Sequence, residues 1–155
     1  KTIFSASTLI KILNDEICET TTRGMFVTMI VGVYDKNKNE LLLSNAGHEP
    51  PLIFSKEGNF KTIDEAGPPL GIAPNFKFTE QTISFKESSM YIFTDGITEM
   101  KNNNGEMLGQ EGFQDYIKKY QNTPNNKRLQ KMIEDLIGSG RIQKDDLTIV
   151  TVDGK

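Results

Sequence analysis

The spacing of apolar residues changes character along this 155-residue chain, and the order of those changes limits the fold more than any other feature. Across residues 7–18, Leu9, Ile10, Leu13 and Ile17 recur at helical spacing, with Asn14, Asp15 and Glu16 on a polar side. The β-branched run Thr20-Thr21-Thr22 predicts that this helix stops before it. Residues 25–34 are dense in β-branched and aromatic side chains, residues 35–40 are polar, and residues 41–44 are apolar again, which reads as a hairpin. A short strand over 52–54 follows, with Gly58-Asn59 as a turn. Phe76, Phe78, Ile83 and Phe85 suggest another strand, and residues 90–94 a central buried one. Two helices come next: 110–120 gathers Phe113, Tyr116, Ile117 and Tyr120 on one face, and 127–137 gathers Leu129, Met132, Ile133 and Leu136. Gly138 and Gly140 close the second helix, and 147–152 alternates as a last strand. Helix, several strands, two helices and a strand predict an α+β fold with mostly antiparallel pairing in a single domain over residues 1–155.

Composition narrows the function. Lys and Arg number 18 against 21 Asp and Glu, a net charge of −3, so no excess of positive charge is available for a phosphate backbone and nucleic acid is not expected as a partner. No apolar run approaches the roughly 18 residues of a membrane span. Cys18 is the only cysteine, which excludes an internal disulfide, predicts a buried inert thiol and suggests a reducing, cytoplasmic setting. The chain opens on Lys1-Thr2 with no signal-like segment and reads as part of something longer. Five of the six prolines fall in 45–51 and 67–74, which predicts two irregular loops.

Two acidic sites flank buried strands. Met90-Tyr91-Ile92-Phe93-Thr94-Asp95-Gly96 ends a strand on a carboxylate, and Lys144-Asp145-Asp146-Leu147-Thr148-Ile149 leads two carboxylates into another. If those strands lie antiparallel, their acidic ends meet. Carboxylates some 4 Å apart repel by about 4 kcal/mol at an effective dielectric near 20, so the cluster would call for a cation or a proton. Oxygen ligands without nearby Cys or His favour Mg²⁺ or Mn²⁺ over zinc. The bland alternative stays open on these residues alone: Asp-Gly is a common turn and Asp-Asp can begin a solvated strand.

Other features read as structure. His48, the only histidine, sits in Asn45-Ala46-Gly47-His48, where a loop-organising role competes with substrate contact and proton transfer; Asn45 reads as a loop hydrogen-bonder. Asp35 to Glu40 lacks the glycine and the bidentate glutamate of a calcium loop and reads as a hairpin tip. Residues 101–105 form a polar turn. Lys118-Lys119 with Lys127-Arg128 reads as solvated helix surface, with docking of an acidic protein as the lesser reading.

Four segments taken together carry a resemblance: Ser44-Asn45-Ala46-Gly47-His48-Glu49-Pro50-Pro51-Leu52, Gly67-Pro68-Pro69-Leu70-Gly71-Ile72, Thr94-Asp95-Gly96-Ile97-Thr98-Glu99 through Gly105-Glu106-Met107-Leu108-Gly109, and Asp145-Asp146-Leu147-Thr148. In order and spacing they resemble the bacterial metal-dependent serine/threonine phosphatases of the type 2C (PPM) class, in the branch of sporulation protein E and the sigma-factor regulator RsbU. The resemblance covers about residues 24–152. It implies an α-β-β-α sandwich of two mostly antiparallel sheets flanked by helices, with a two-metal Mn²⁺ or Mg²⁺ centre at one end. There a metal-activated water, not a side-chain nucleophile, attacks phosphoserine or phosphothreonine. By motif position Asp95 and Asp145 match metal-binding aspartates, and Asp146 is the fallback where many relatives have Asn.

The resemblance also implies a gap. Relatives carry, ahead of the first helix here, a strand ending in an Asp-Gly pair whose aspartate bridges both metals; Asp15, Glu16 and Glu19 do not match it. A partial domain with an incomplete metal site is therefore expected, its N-terminal strands lacking and its exposed sheet edges open to self-association as a homodimer. The branch implies a phosphoprotein substrate, such as an anti-sigma-factor antagonist. Two other readings compete: a catalytically inert phosphatase-like binding or regulatory module, and a generic α+β domain whose loops mimic the family.

Overall fold

The computed structural model describes residues 5–21, 24–84 and 86–154. Lys1, Thr2, Thr22 and Phe85, which entered the expectations above, lie outside the described residues. The first helix, α1 (Ala6–Thr20), is capped by Ser5, whose Oγ accepts from Thr8 N at 3.2 Å. Glu80 pins the same end by accepting from Ser5 Oγ and Ser7 N at 2.8 and 3.0 Å. At the other end α1 runs through Thr20 instead of stopping ahead of the threonines. Thr20 and Thr21 turn their hydroxyls back onto the carbonyls of Glu16 and Ile17, at 2.7 and 2.6 Å, and Ile17 O also accepts from Thr21 N at 3.0 Å, so the threonines bond to the last turn instead of breaking it.

Among the described residues seven strands follow: β1 (Met29–Asp35), β2 (Glu40–Ala46), β3 (Leu52–Ser55), β4 (Phe60–Thr62), β5 (Gln81–Ser84), β6 (Ser88–Phe93) and, after the helices, β7 (Ile149–Asp153). They form one sheet in the order β1-β2-β5 and a second in the order β4-β3-β6-β7, with every strand pair antiparallel. Between β6 and β7 lie α2 (Asp95–Thr98), α3 (Gly109–Tyr120) and α4 (Asn125–Gly138).

Strand periodicity sorts side chains into three buried layers. Ile10 of α1 packs with Ala46, Leu70 and Phe78 on the outer face of the first sheet. Leu41, Leu43, Ile53, Ile83 and Met90 fill the space between the sheets. Leu52, Phe54, Tyr91 and Phe93 face the opposite way, onto Phe113 and Ile117 of α3 and Met132 and Leu136 of α4. On β6 the alternation is strict: Met90 and Ile92 look to the other sheet, Tyr91 and Phe93 to the helices. Phe113 sits 4.7 Å from the Phe93 ring and edge-on to Tyr91, and each such burial contributes roughly 1.5–3 kcal/mol. The molecule is thus an α-β-β-α sandwich.

Four local expectations change. Phe76 and Phe78 lie outside any strand, in a loop that turns at Asn75 (φ 59°), and stack edge to face at 4.9 Å beneath α1; only Gln81–Ser84 pairs. The strand β4 is too short to show alternation in the sequence and owes its form to pairing with β3. Cys18 is half-buried, with Sγ 3.8 Å from Asn14 Oδ1. Arg128 is buried, not solvated: its Nη2 donates to Asp153, its Nη1 donates to Asn125 Oδ1 at 3.3 Å, and its guanidinium stacks 5.6 Å above the Tyr91 ring. Ser89 Oγ also donates to Asp153, at 2.5 Å, so β6, β7 and α4 meet on one carboxylate. Among the described residues no helix is long and apolar enough to cross a membrane.

Removing one partner of a buried ion pair strands the other. Arg128→Ala should lower the urea-unfolding free energy by about 3 kcal/mol, and Lys127→Ala, one residue away and exposed, by less than about 0.5 kcal/mol. Equal effects would show that Arg128 is solvated after all.

Candidate metal centre

The antiparallel ladder of β6 and β7 continues one step past its last register pair, Phe93 with Ile149. Thr94 N donates to Thr148 O at 3.1 Å, Thr148 N donates to Thr94 Oγ1 at 3.1 Å, and the same hydroxyl donates to Asp146 O at 3.1 Å. One threonine side chain therefore holds the segment before Asp95 against the segment of Asp145 and Asp146. Its role was not read from the sequence, although its place immediately before Asp-Gly was visible.

Asp95 opens α2, where its carbonyl accepts from Glu99 N at 2.8 Å and from Thr98 Oγ1 at 3.1 Å. Gly96 is buried, and a Cβ built there would lie 2.4 Å from the Asp146 carbonyl oxygen. The glycine of this Asp-Gly pair is thus required by the close approach of another backbone and not by a turn conformation. Across the contact, Asp145 Oδ1 accepts from Asp146 N at 2.7 Å, and Gln143 Nε2 donates to Asp145 O at 2.9 Å.

The backbones that carry Asp95, Asp145 and Asp146 touch, and all three residues are exposed. Their side chains line two depressions. Asp95 shares a cleft of about 150 Å³ with Thr28, Gly47, His48, Glu49 and Thr94, while Asp145 and Asp146 share an open hollow with Gln143 and Lys144. Among the described residues no three His, Cys, Asp or Glu side chains come together as a set able to hold an ion. The donor type, carboxylate oxygen alone, suits a hard cation; the donor number is short of a shell.

The first sheet contributes the facing wall of the Asp95 cleft. Asn45, at the end of β2, accepts from His48 N through Oδ1 and donates to His48 O through Nδ2, both at 2.9 Å. Gly47 has φ +64°, and a Cβ there would fall 2.4 Å from Pro69. His48 Nδ1 lies 3.2 Å from the Glu49 carbonyl. Glu49 went unnoticed in the sequence, where a charged residue between the lone histidine and Pro50-Pro51 was the signal. Burial, then the negative charge of Asp95, pushes its carboxyl above the usual range; Glu65 and Glu99 add to this and His48 opposes it.

An α-β-β-α sandwich of two antiparallel sheets, here with acidic loops at the ends of β6 and β7, matches the architecture of type 2C phosphatase domains. The chain belongs to the Stage II sporulation protein E (SpoIIE) family, whose model matches residues 2–155. It is 31% identical to protein IcfG of Synechocystis over 98% of its length, and 26% identical to phosphoserine phosphatase RsbU of Bacillus subtilis over 94%. It spans only 24% and 44% of those two proteins. In fold it is similar to the RsbU and RsbW domains of a Mycobacterium tuberculosis protein (TM-score 0.80, 19% identity, 98% of this chain and 42% of that one). It is also similar to the Mn-presoaked phosphatase domain of SpoIIE from B. subtilis (TM-score 0.66, 17% identity, 99% and 67%).

Two outcomes test this geometry. Gly96→Ala should destabilise the chain by about 1–3 kcal/mol, because its methyl meets a backbone carbonyl that has no room to give. Gly138→Ala, at an open helix end, should be neutral or slightly stabilising in the same thermal melts. A raised carboxyl favours folding below its unfolded midpoint and loses that contribution as pH rises through the folded one. Without added divalent ion, Glu49→Gln should therefore gain more in melting temperature over wild type at pH 7 than at pH 4; a pH-independent difference would refute the assignment.

Proposed function

We propose that this chain is the greater part of a metal-dependent serine/threonine protein phosphatase domain that hydrolyses phosphoserine or phosphothreonine on a signalling protein. The observation that carries the proposal is the contact between the Asp95–Gly96 and Asp145–Asp146 backbones at one end of the sandwich. Membership of the SpoIIE family, and the name phosphoserine phosphatase borne by a relative, favour the same chemistry. Asp95 and Asp145 would hold a Mn²⁺ or Mg²⁺ ion, with Asp146 as the fallback. Such a cation, when bound, lowers the pKa of water and offsets charge on phosphoryl oxygens.

The rest belongs to the protein's own groups. Thr94 and Gly96 keep the two acidic backbones in contact. The cleft between Asp95 and the Gly47–Glu49 wall gives a phosphorylated side chain a place beside the carboxylates. Further ligands and sheet strands would come from residues outside 1–155, in a cytoplasmic protein whose substrate is of the anti-sigma-factor-antagonist kind. The competing reading is an inert phosphatase-like regulatory module.

The full chain, meaning residues 1–155 extended upstream, should hydrolyse a phosphoserine peptide with Mn²⁺, and Asp95→Asn should reduce kcat by about a hundredfold or more. Electron paramagnetic titration should show weaker Mn²⁺ binding in the same variant. Residues 1–155 alone should bind Mn²⁺ weakly, since an ion with few carboxylates keeps most of its waters. Wild-type rate and Mn²⁺ affinity in Asp95→Asn would reject the site; tight Mn²⁺ binding without turnover by the full chain would leave the regulatory module.

A further inference from the structure

Asn45 is fully buried, yet it is the last polar side chain before the loop that forms one wall of the Asp95 cleft. On β2 it shares its face with Leu41 and Leu43, which pack between the sheets. A buried amide left unpaired would cost roughly 1–3 kcal/mol. Here both of its polar atoms are used, and both on one residue: Oδ1 on His48 N and Nδ2 on His48 O. Its own carbonyl accepts from Ala66 N at 2.7 Å, which ties the second proline loop to the first. The Gly47–Pro69 contact closes the same joint from the other side.

The cleft lies where the ends of the two sheets meet, with Thr94 and Asp95 from one and Gly47, His48 and Glu49 from the other. The Thr94 hydroxyl fixes the first wall. We infer that Asn45 is the positioning residue for the second, holding His48 and Glu49 across the cleft from Asp95. Asn45 touches no reacting atom and acts through His48. The inference rests on the phosphatase reading for its catalytic consequence, but the clamp itself is independent of it.

Ser44 supplies the control. It is equally buried, its Oγ donates to Thr79 O at 2.7 Å, and it faces away from the cleft. Hydrogen exchange of the His48 amide should be at least tenfold faster in Asn45→Ala than in wild type or Ser44→Ala. Asn45→Asp, which keeps the acceptor for His48 N and loses the donor to His48 O, should fall between. With a phosphoserine peptide and Mn²⁺, the full chain carrying Asn45→Ala should lose tenfold or more in kcat with KM within twofold, and Ser44→Ala should keep its kcat even where its melting temperature falls as far. Unchanged His48 exchange in Asn45→Ala overturns the clamp. Faster exchange with a kcat equal to that of Ser44→Ala overturns the positioning role. Full-chain wild type that turns over no phosphopeptide, with His48 exchange responding as stated, leaves the clamp standing and rejects the phosphatase reading instead.

Discussion

The Thr94 hydroxyl is the hinge of the molecule's acidic end. It accepts from Thr148 N and donates to Asp146 O, and so carries the β6–β7 ladder one residue beyond the last paired strand positions. The contact is made by main chain and hydroxyl, which leaves the carboxylates exposed. Gly96 then lets the Asp146 carbonyl come closer than any side chain would allow. Tight backbone apposition thus coexists with exposed acidic side chains.

Charge at this end is concentrated beyond those three aspartates. Glu49 feels burial first and the Asp95 charge second, with Glu65 and Glu99 contributing in the same direction. The loops that bring Glu49 and Asp95 to one cleft are held by local contacts: Asn45 on His48, Thr94 on Asp146, Pro69 against Gly47.

Much of this was legible in the sequence because the strands and helices that matter are long and strictly periodic. Residues 90–94 read as a central strand because Met90 and Ile92 must face one layer and Tyr91 and Phe93 another. The contact of the Gly96 and Asp146 backbones followed from antiparallel pairing of two recognisable strands, whereas the Asp95 carboxylate and those of Asp145 and Asp146 open into separate depressions. What failed to show was decided by tertiary contact. Phe76 and Phe78 have strand composition but are drawn under α1, and Arg128 has the look of surface charge until Asp153 arrives from 25 residues downstream. Glu49 and Thr94 act through neighbours distant in sequence, which periodicity cannot reveal.

The sandwich is lopsided, and this bears on how its edges behave. Ile30 of β1 and Ile92 of β6 pack on the same inter-sheet cluster, whereas Val150 and Val152, on the next strand over, are 48% and 37% exposed. The second sheet therefore reaches one strand further than the first. Open strand edges are pairing templates, and β1 has such an edge. Among the described residues β7 carries another, and its Val150 and Val152, paired with Ile92 and Met90, leave solvent-exposed the side of the sheet that those two bury.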